Sequence, residues 1–305
     1  MAILELTKIN KSFGSIEVVK NLSFAVDEHT VFGFLGKNGA GKTTTMKMIL
    51  GFLQPDSGEI KVCEEKVFYG NARTNRYIGY LPDVPEFYGY MTPKEYLKLC
   101  GEITGIKGGL LHNRINELLD LVGLTGSNRR IRGFSRGMKQ RLGIAQALLN
   151  EPRLLICDEP TSALDPVGRK EILDILAVAK QRTTIVFSTH ILSDVERICD
   201  SVGILNQGTL ALQGRVADIK NKYRKDLIQI ETMRSYEAEV IVAKLRERPY
   251  VSGVTLLGSV IEVQLSGGDK DSSLVMEFLS AEQVPLLRYE LMEPTLENVF
   301  LEVVQ

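Results

Sequence analysis

The sequence predicts an α/β protein with a mostly parallel sheet, joined to a small α+β unit at its C-terminal end. Two short apolar segments, 153–158 and 183–188, predict buried strands, and strands that alternate with helices are typical of a parallel sheet covered on both faces. After residue 224 the order strand, helix, strand, strand, helix, strand indicates a ferredoxin-like unit. A chain of 305 residues is long enough for two domains, which we expect over residues 1–214 and 223–305.

The composition is that of an ordinary globular protein, with 44% hydrophobic and 25% charged residues and a formal net charge of -1. Because no overall basic field is present, we expect no nucleic-acid partner. The first residues do not resemble a signal peptide, and no segment approaches the ~18 apolar residues that a membrane span needs. We therefore expect a cytoplasmic protein, in which Cys63, Cys100, Cys157 and Cys199 act as small apolar residues.

The N-terminal region is predicted to consist of short strands that lead into one helix. Residues of high β propensity alternate there with turn formers, and the compact apolar segment 30–35 runs into a glycine-rich stretch. A helix is expected from about 42 to 50, with Gly51 placed to end it. The earlier strands are expected at 3–9, 17–20 and 22–26, broken by Asn10, Gly14 and Asn21.

The region from about 86 to 150 is predicted to form a helical subdomain. Thr92 and Glu95 have the spacing of a capping box, which marks a helix start. Apolar residues at helical spacing predict a further helix over 114–122, and Ser135 is placed to begin the next one.

The C-terminal region alternates between strand and helix patterns. The segment 260–265 has strict apolar and polar alternation, whereas 236–246 is a weaker helix prediction because it contains consecutive β-branched residues. Strands are expected at 226–232, 251–257, 260–265 and 285–291, and helices at 236–246, 271–282 and 295–303.

A phosphate-binding loop is the clearest chemical signal. Gly36 and Gly41 bracket four residues and are followed by Lys42 and Thr43, with a strand before and a helix after. Glycines let backbone N–H groups converge on phosphate oxygens, and the helix N-terminus attracts anions. Lys42 adds a positive charge for the β- and γ-phosphates, and the Thr43 hydroxyl can ligate Mg²⁺.

Two carboxylates follow the apolar strand 153–158. Asp158 at its end is the natural second partner for Mg²⁺. Glu159 comes next and can accept a proton from an attacking water or orient it.

With these residues the chain resembles the nucleotide-binding subunits of the ATP-binding cassette (ABC) transporter family. Residues 134–141, Phe-Ser-Arg-Gly-Met-Lys-Gln-Arg, resemble the family signature, and residues 162–165 match the loop that follows the acidic pair. His190 matches the switch histidine, and Phe13 matches the aromatic residue that stacks on adenine. The resemblance covers about residues 2–214. It implies a P-loop nucleoside triphosphatase cassette, with an antiparallel β subdomain and a helical subdomain beside the main sheet.

The motifs and the resemblance together identify ATP and Mg²⁺ as cofactors. Glu159 and His190 are the candidate catalytic residues, and Thr43 and Asp158 are the candidate metal ligands. The candidate cofactor-binding residues are Phe13, Gly36, Asn38, Gly39, Gly41, Lys42, Thr43, Thr44, Asp83, Ser135, Gly137 and Asp165.

Two positions depart from the family pattern. Arg136 stands where the signature usually has glycine, and Asp83 stands where many members have glutamine. Asp83 is one carbon shorter than glutamine and charged, so we expect it to act on the metal through a water rather than as a direct ligand.

The resemblance also implies partners. In the family two cassettes face each other, so we expect a homodimer or a pair with a related cassette, in which Ser135 and Gly137 reach the second nucleotide. The region 86–105 resembles the surface that docks a separate multi-span permease. The tail 293–300 resembles that of bacterial exporter cassettes. We therefore expect an ATPase that powers an exporter and lies on the inner face of the cell membrane through its permease.

Other interpretations remain open. A cassette ATPase that acts on ribosomes or DNA is the main alternative, although the chain has one set of motifs and no sustained heptad pattern. A small-molecule kinase could share the phosphate loop, but the Ser135 signature and Glu159 argue against it. The C-terminal unit is interpreted as a ligand sensor or, preferably, a support for the dimer.

Overall fold

The computed structural model describes residues 2–223, 226–233, 235–267, 269–292 and 295–304. Residue 224, after which the strand and helix order of the second unit was predicted, the first two residues of the tail motif 293–300, and residues 1 and 305 at the ends of the predicted domains lie outside these ranges. The chain divides into two compact units, Met1–Ala217 with Phe300–Gln305, and Asp218–Val299. The domains predicted from a composition shift near Gly214 were 1–214 and 223–305, and these bounds stay a prediction.

The strands and helices are numbered in chain order. The strands are β1 (Ala2–Phe13), β2 (Ile16–Asp27), β3 (Val31–Leu35), β4 (Ser57–Val62), β5 (Glu65–Lys66), β6 (Ile78–Leu81), β7 (Leu154–Asp158), β8 (Thr184–Thr189), β9 (Ser201–Asn206), β10 (Thr209–Arg215), β11 (Leu227–Thr232), β12 (Val251–Leu257), β13 (Val260–Leu265) and β14 (Leu286–Met292). The helices are α1 (Lys42–Ile49), α2 (Pro93–Ile103), α3 (Gly108–Leu121), α4 (Arg136–Leu148), α5 (Pro166–Ala179), α6 (Leu192–Ile198), α7 (Val216–Lys222), α8 (Ser235–Arg246), α9 (Asp269–Ala281) and α10 (Leu296–Val304).

An antiparallel sheet with the order β2-β1-β4-β5 forms the N-terminal layer of the first unit. The predicted strand breaks at Asn10 and Asn21 are wrong, because β1 and β2 continue through both residues and turn only around Gly14. The Asn10 amide donates to the carbonyl of Lys8 (3.0 Å), and its oxygen accepts from the Asn21 backbone N–H (2.8 Å). The two asparagines therefore form hydrogen bonds with backbone groups where the pairing of β1 with β2 is irregular.

The central sheet positions the candidate site. Its order is β10-β9-β3-β8-β7-β6, with parallel pairing from β9 through β6. Every residue of β3, β7 and β8 is buried, as expected for apolar strands covered on both faces. Since the carboxyl ends of parallel strands meet at one edge, the loops after β3, β6, β7 and β8 lie together.

The helical region follows the predicted pattern, with one correction. Glu95 accepts from the Thr92 backbone N–H (2.7 Å), and the Thr92 hydroxyl accepts from the Glu95 N–H (3.3 Å), so the predicted capping box is present. Helix α3 begins at Gly108, earlier than the predicted start at residue 114. The glycines at 108 and 109 obscured this first turn, although Leu111 already continues the buried face.

The C-terminal unit has the predicted ferredoxin-like topology. Its sheet has the order β12-β13-β11-β14, and all pairs are antiparallel. The β-branched residues that weakened the helix prediction are Val240, Ile241 and Val242. Ile241 and Val242 are buried in the core of this unit with Ile230 and Val263, so tertiary packing outweighs their modest helix propensity.

Within the described residues, the helices are too short or too polar to traverse a lipid bilayer. The four cysteines are free thiols. Cys157 is fully buried in β7, and this burial raises the pKa of its thiol well above the ordinary value, so the side chain stays protonated.

A core truncation tests the packing of the central sheet. Ile156→Ala removes a completely buried side chain of β7, and we expect it to lower the free energy of unfolding by about 2–5 kcal/mol. The control Leu110→Ala alters a side chain of α3 that is 72% exposed, and we expect a change below about 0.5 kcal/mol. Urea unfolding followed by circular dichroism measures both, and equal effects would contradict the assignment of the core.

Candidate functional site

A cleft of about 530 Å³ lies at the carboxyl edge of the central sheet. It contains most of the sequence-predicted site residues, together with two that the prediction did not include, Val18 and Ser162. The lining residues are Val18, Asn38, Gly39, Gly41, Lys42, Thr43, Thr44, Asp83, Asp158, Glu159, Ser162 and His190.

The loop between β3 and α1 forms a cradle that only glycine allows at its tight points. Gly41 has a φ of 110°, and a Cβ there would lie 2.8 Å from the Val18 carbonyl oxygen. A Cβ on Gly36 would lie 2.8 Å from the Leu205 carbonyl oxygen. The backbone can therefore close around an anion where side chains would collide, and α1 directs its N-terminal N–H groups toward the same space.

Lys42 is held at the base of this cradle. Its side chain is 6% exposed, and Nζ donates to the Gly36 carbonyl oxygen at 2.7 Å. Nζ also lies 3.3 Å from the Glu159 Oε1 atom. A buried ammonium is stable only with such partners, so Lys42 is an ordered positive charge in the cleft.

The two carboxylates at the end of β7 have different surroundings. Asp158 is 3% exposed and accepts from the Ser188 hydroxyl at 2.6 Å. Glu159 has a φ of 49°, a left-handed conformation that a non-glycine residue adopts rarely. Its backbone N–H donates to the Ser188 carbonyl oxygen at 3.1 Å, which helps to hold this strained turn. Both carboxylates line the cleft, with Asp158 the more deeply buried of the two.

Glu159 connects the phosphate loop to the segment after β8. While Oε1 faces Lys42, Oε2 lies 2.9 Å from Nδ1 of His190. His190 is well exposed, whereas the Glu159 side chain is 13% exposed. The carboxylate is therefore oriented from two sides at the edge of the cleft, which is the geometry that a general base or a water-orienting group requires.

The donor set of the cleft suits Mg²⁺ and a triphosphate. Thr43 and Asp158 provide hard oxygen donors, the type that Mg²⁺ prefers. Among the residues that the structure describes, no group of three or more His, Cys, Asp or Glu side chains is placed to hold a metal. Two protein oxygens therefore suit an ion that takes its remaining ligands from phosphate and water.

Tyr80 reports the electrostatic character of this edge. Burial, and secondarily the neighbouring Asp158, Cys157 and Asp83, raise the pKa of its hydroxyl to about 12. The phenol therefore stays neutral at physiological pH. Asp158 and Asp83 therefore lie close enough to this ring to contribute to the rise in its pKa, although less than burial does.

Five predicted cofactor-binding residues do not line this cleft. Ser135 caps α4, accepting from the Met138 N–H at 3.2 Å, and Asp165 caps α5, accepting from the Gly168 N–H at 3.0 Å. Gly137 lies in the first turn of α4. Phe13 is 50% exposed, with the Lys11 Nζ 5.5 Å from its ring centre. The fifth, Gly36, contributes a carbonyl oxygen to Lys42.

Further residues, which were not predicted as site residues, support the site through hydrogen bonds. Ser188 was noted only as part of a strand, although a hydroxyl beside the acidic strand end was a usable signal. Asp194, 3% exposed in α6, accepts from the Thr161 hydroxyl and from an Arg169 N–H, both at 2.7 Å. These bonds join the loop after Glu159 to the helix after His190. No sequence signal indicated this connection.

Comparison with known proteins finds two family models that match the chain. Residues 19–162 match the family model described as ABC transporter. Residues 214–304 match the model described as ATP-binding protein DrrA1-3-like, C-terminal domain. The first model therefore matches the N-terminal part of the chain and the second its C-terminal part.

Three relatives are similar over most or all of the chain. The uncharacterized ABC transporter ATP-binding protein YxlF of Bacillus subtilis (strain 168) is 39% identical over 99% of both chains. The bacitracin transport ATP-binding protein BcrA of Bacillus licheniformis is 43% identical over 74% of both chains. The linearmycin resistance ATP-binding protein LnrL of Bacillus subtilis (strain 168) is 33% identical over 99% of this chain and 98% of the relative. With its cassette fold and its converging phosphate loop and acidic pair, the chain belongs to the ATP-binding proteins of the ABC transporter family, which bind and hydrolyse ATP with Mg²⁺.

Proposed function

We propose that this chain powers the export of an antibiotic-like compound through a separate membrane permease. The observation that carries this proposal is the cleft in which Lys42, Asp158, Glu159 and His190 converge, in a chain of this family. Relatives named for bacitracin transport and linearmycin resistance support the direction and the class of compound. The alternative of a ribosome- or DNA-acting cassette has no comparable support among the relatives described above.

The hydrolytic roles follow from the contacts. Lys42 compensates phosphate charge from the base of the cradle, and Glu159 orients the attacking water and accepts its proton. His190 holds the Glu159 carboxylate in place through Nδ1. Thr43 and Asp158 would hold Mg²⁺, which when bound neutralises phosphate charge.

The residues outside the cleft suit a second role in a dimer. Ser135 and Gly137 lie at the N-terminal end of α4, where unpaired backbone N–H groups favour an anion. We infer that this helix end binds the nucleotide of a second cassette, beside the Asp165 loop. We further infer that Phe13 stacks on adenine, since half of its surface is available for contact. We assign the cassette to residues 1–214 and a dimer-supporting role to residues 223–305.

The first functional prediction concerns Glu159. Glu159→Gln removes the charge needed to accept a proton, and we expect ATP turnover to fall by about 10²–10⁴-fold with ATP affinity retained. The variant should also accumulate as an ATP-bound dimer in size-exclusion chromatography. Glu247→Gln, an exposed glutamate in the C-terminal unit, is the control and should hydrolyse ATP normally. Turnover near the unaltered level in Glu159→Gln would remove this residue from the mechanism.

A second prediction concerns the cradle. Lys42→Ala removes a charged donor, and we expect the Kd for Mg-ATP to rise by about 10–100-fold, because hydrogen bonds to charged groups contribute about 1.5–3 kcal/mol. Lys47→Ala changes an exposed lysine on the same helix and should leave the Kd unchanged. Isothermal titration with Mg-ATP measures both. An unchanged Kd in Lys42→Ala would contradict phosphate binding by this loop.

A third prediction concerns export itself. The chain should co-purify with a multi-span membrane protein encoded beside it, and the pair should raise the resistance of a sensitive host to bacitracin or linearmycin, the compounds named in two relatives. Glu159→Gln should abolish the resistance while leaving the complex intact, because transport needs hydrolysis. Co-purification with ribosomes instead, with no gain in resistance, would favour the non-transport alternative.

A further inference from the structure

The two positions that depart from the family pattern contact each other. An Arg136 Nη2 group donates to Oδ1 of Asp83 at 3.0 Å. From the same helix, α4, the Gln140 side-chain amide donates to the Asp83 backbone oxygen at 2.6 Å. Helix α4 therefore holds both the carboxylate and the backbone of Asp83.

Asp83 occupies a position where its charge matters. It follows β6 and lines the nucleotide cleft together with Asp158 and Glu159. Each of the other two carboxylates has a partner inside the cleft or directly behind it: Ser188 for Asp158, and Lys42 with His190 for Glu159. The partner of Asp83 comes from outside, since Arg136 does not line the cleft.

An uncompensated carboxylate at this point would weaken nucleotide binding appreciably. A triphosphate carries several negative charges, and at an effective dielectric constant of about 40, between those of water and the protein surface, a unit charge about 8 Å away changes affinity by about fivefold. The ion pair itself contributes little to folding, because its side chains are 39% and 46% exposed and such pairs stabilise weakly. Its effect is therefore expected on the ligand rather than on stability.

We propose that Arg136 is a positioning residue for ATP binding, and that its guanidinium neutralises and orients Asp83 at the edge of the nucleotide cleft. One carboxylate oxygen of Asp83 accepts a hydrogen bond from Arg136. The two side chains together therefore have no net charge that would repel the phosphates. The proposal rests on the assignment of this cleft to ATP.

The test is a double-mutant cycle with Mg-ATP. Arg136→Gln should raise the Kd and KM for ATP about fivefold while kcat stays within twofold, since the uncompensated charge opposes binding. In an Asp83→Asn background the same Arg136→Gln change should alter the Kd by less than twofold. Arg136→Lys keeps the charge at a single contact and should stay close to the unaltered Kd. Arg130→Gln, which breaks the similarly exposed pair with Glu95 outside the cleft, is the matched control.

A second readout separates an electrostatic role from a packing role. The ratio of the Arg136→Gln Kd to the unaltered Kd should shrink between about 0.05 M and 0.5 M salt, because salt screens exposed charges. Unfolding midpoints should differ little among the variants. Equal effects of Arg136→Gln in the unaltered chain and in the Asp83→Asn background, or a ratio that is independent of salt, would overturn the proposal. If Lys42→Ala raises the Kd and Arg136→Gln does not, only this inference fails; if neither does, the cleft assignment fails.

Discussion

The parallel register of β3, β8 and β7 is the constraint on which the rest of the site depends. These strands are buried along their whole length, so a shift of one residue would turn apolar side chains away from their packing partners. The register pairs Leu35 with Thr189 and Asp158 with Ser188. The backbone register therefore places the start of the phosphate loop and the acidic pair side by side at one edge of the sheet, independently of the side-chain contacts in the site.

Charge compensation within the cleft follows from that arrangement. Buried charges are tolerated only when they are paired, and here Lys42 is buried beside Glu159 and the Gly36 carbonyl. The phosphates of a nucleotide offer Lys42 a stronger partner than a single carboxylate does. In this structure Glu159 is oriented by both Lys42 and His190. Lys42 therefore contacts both the phosphate loop and the proposed base.

The sequence predicted those parts of the site that are local in the chain. The spacing from Gly36 to Thr43 and the strand that ends in Asp158 each contain their chemistry within a few consecutive residues, and the ferredoxin-like unit was readable from its element order. Contacts between distant segments were not predictable. Neither the irregular pairing at Asn10 nor the hydrogen bond that Thr161 donates to Asp194 has a local pattern in the sequence. Both depend on which strands and helices become neighbours.

Arg136 and Asp83 show why this distinction matters for function. Taken singly, each residue weakens the match to the family pattern, since one adds a positive charge to a glycine position and the other a negative charge to a glutamine position. Their side chains meet at 3.0 Å, so the two changes cancel in charge where they join. Helix α4 also caps its first turn with Ser135. Arg136, proposed to compensate the charge of Asp83, therefore directly follows Ser135 at the helix end proposed to bind the nucleotide of a second chain. A displacement of this helix end would move both residues.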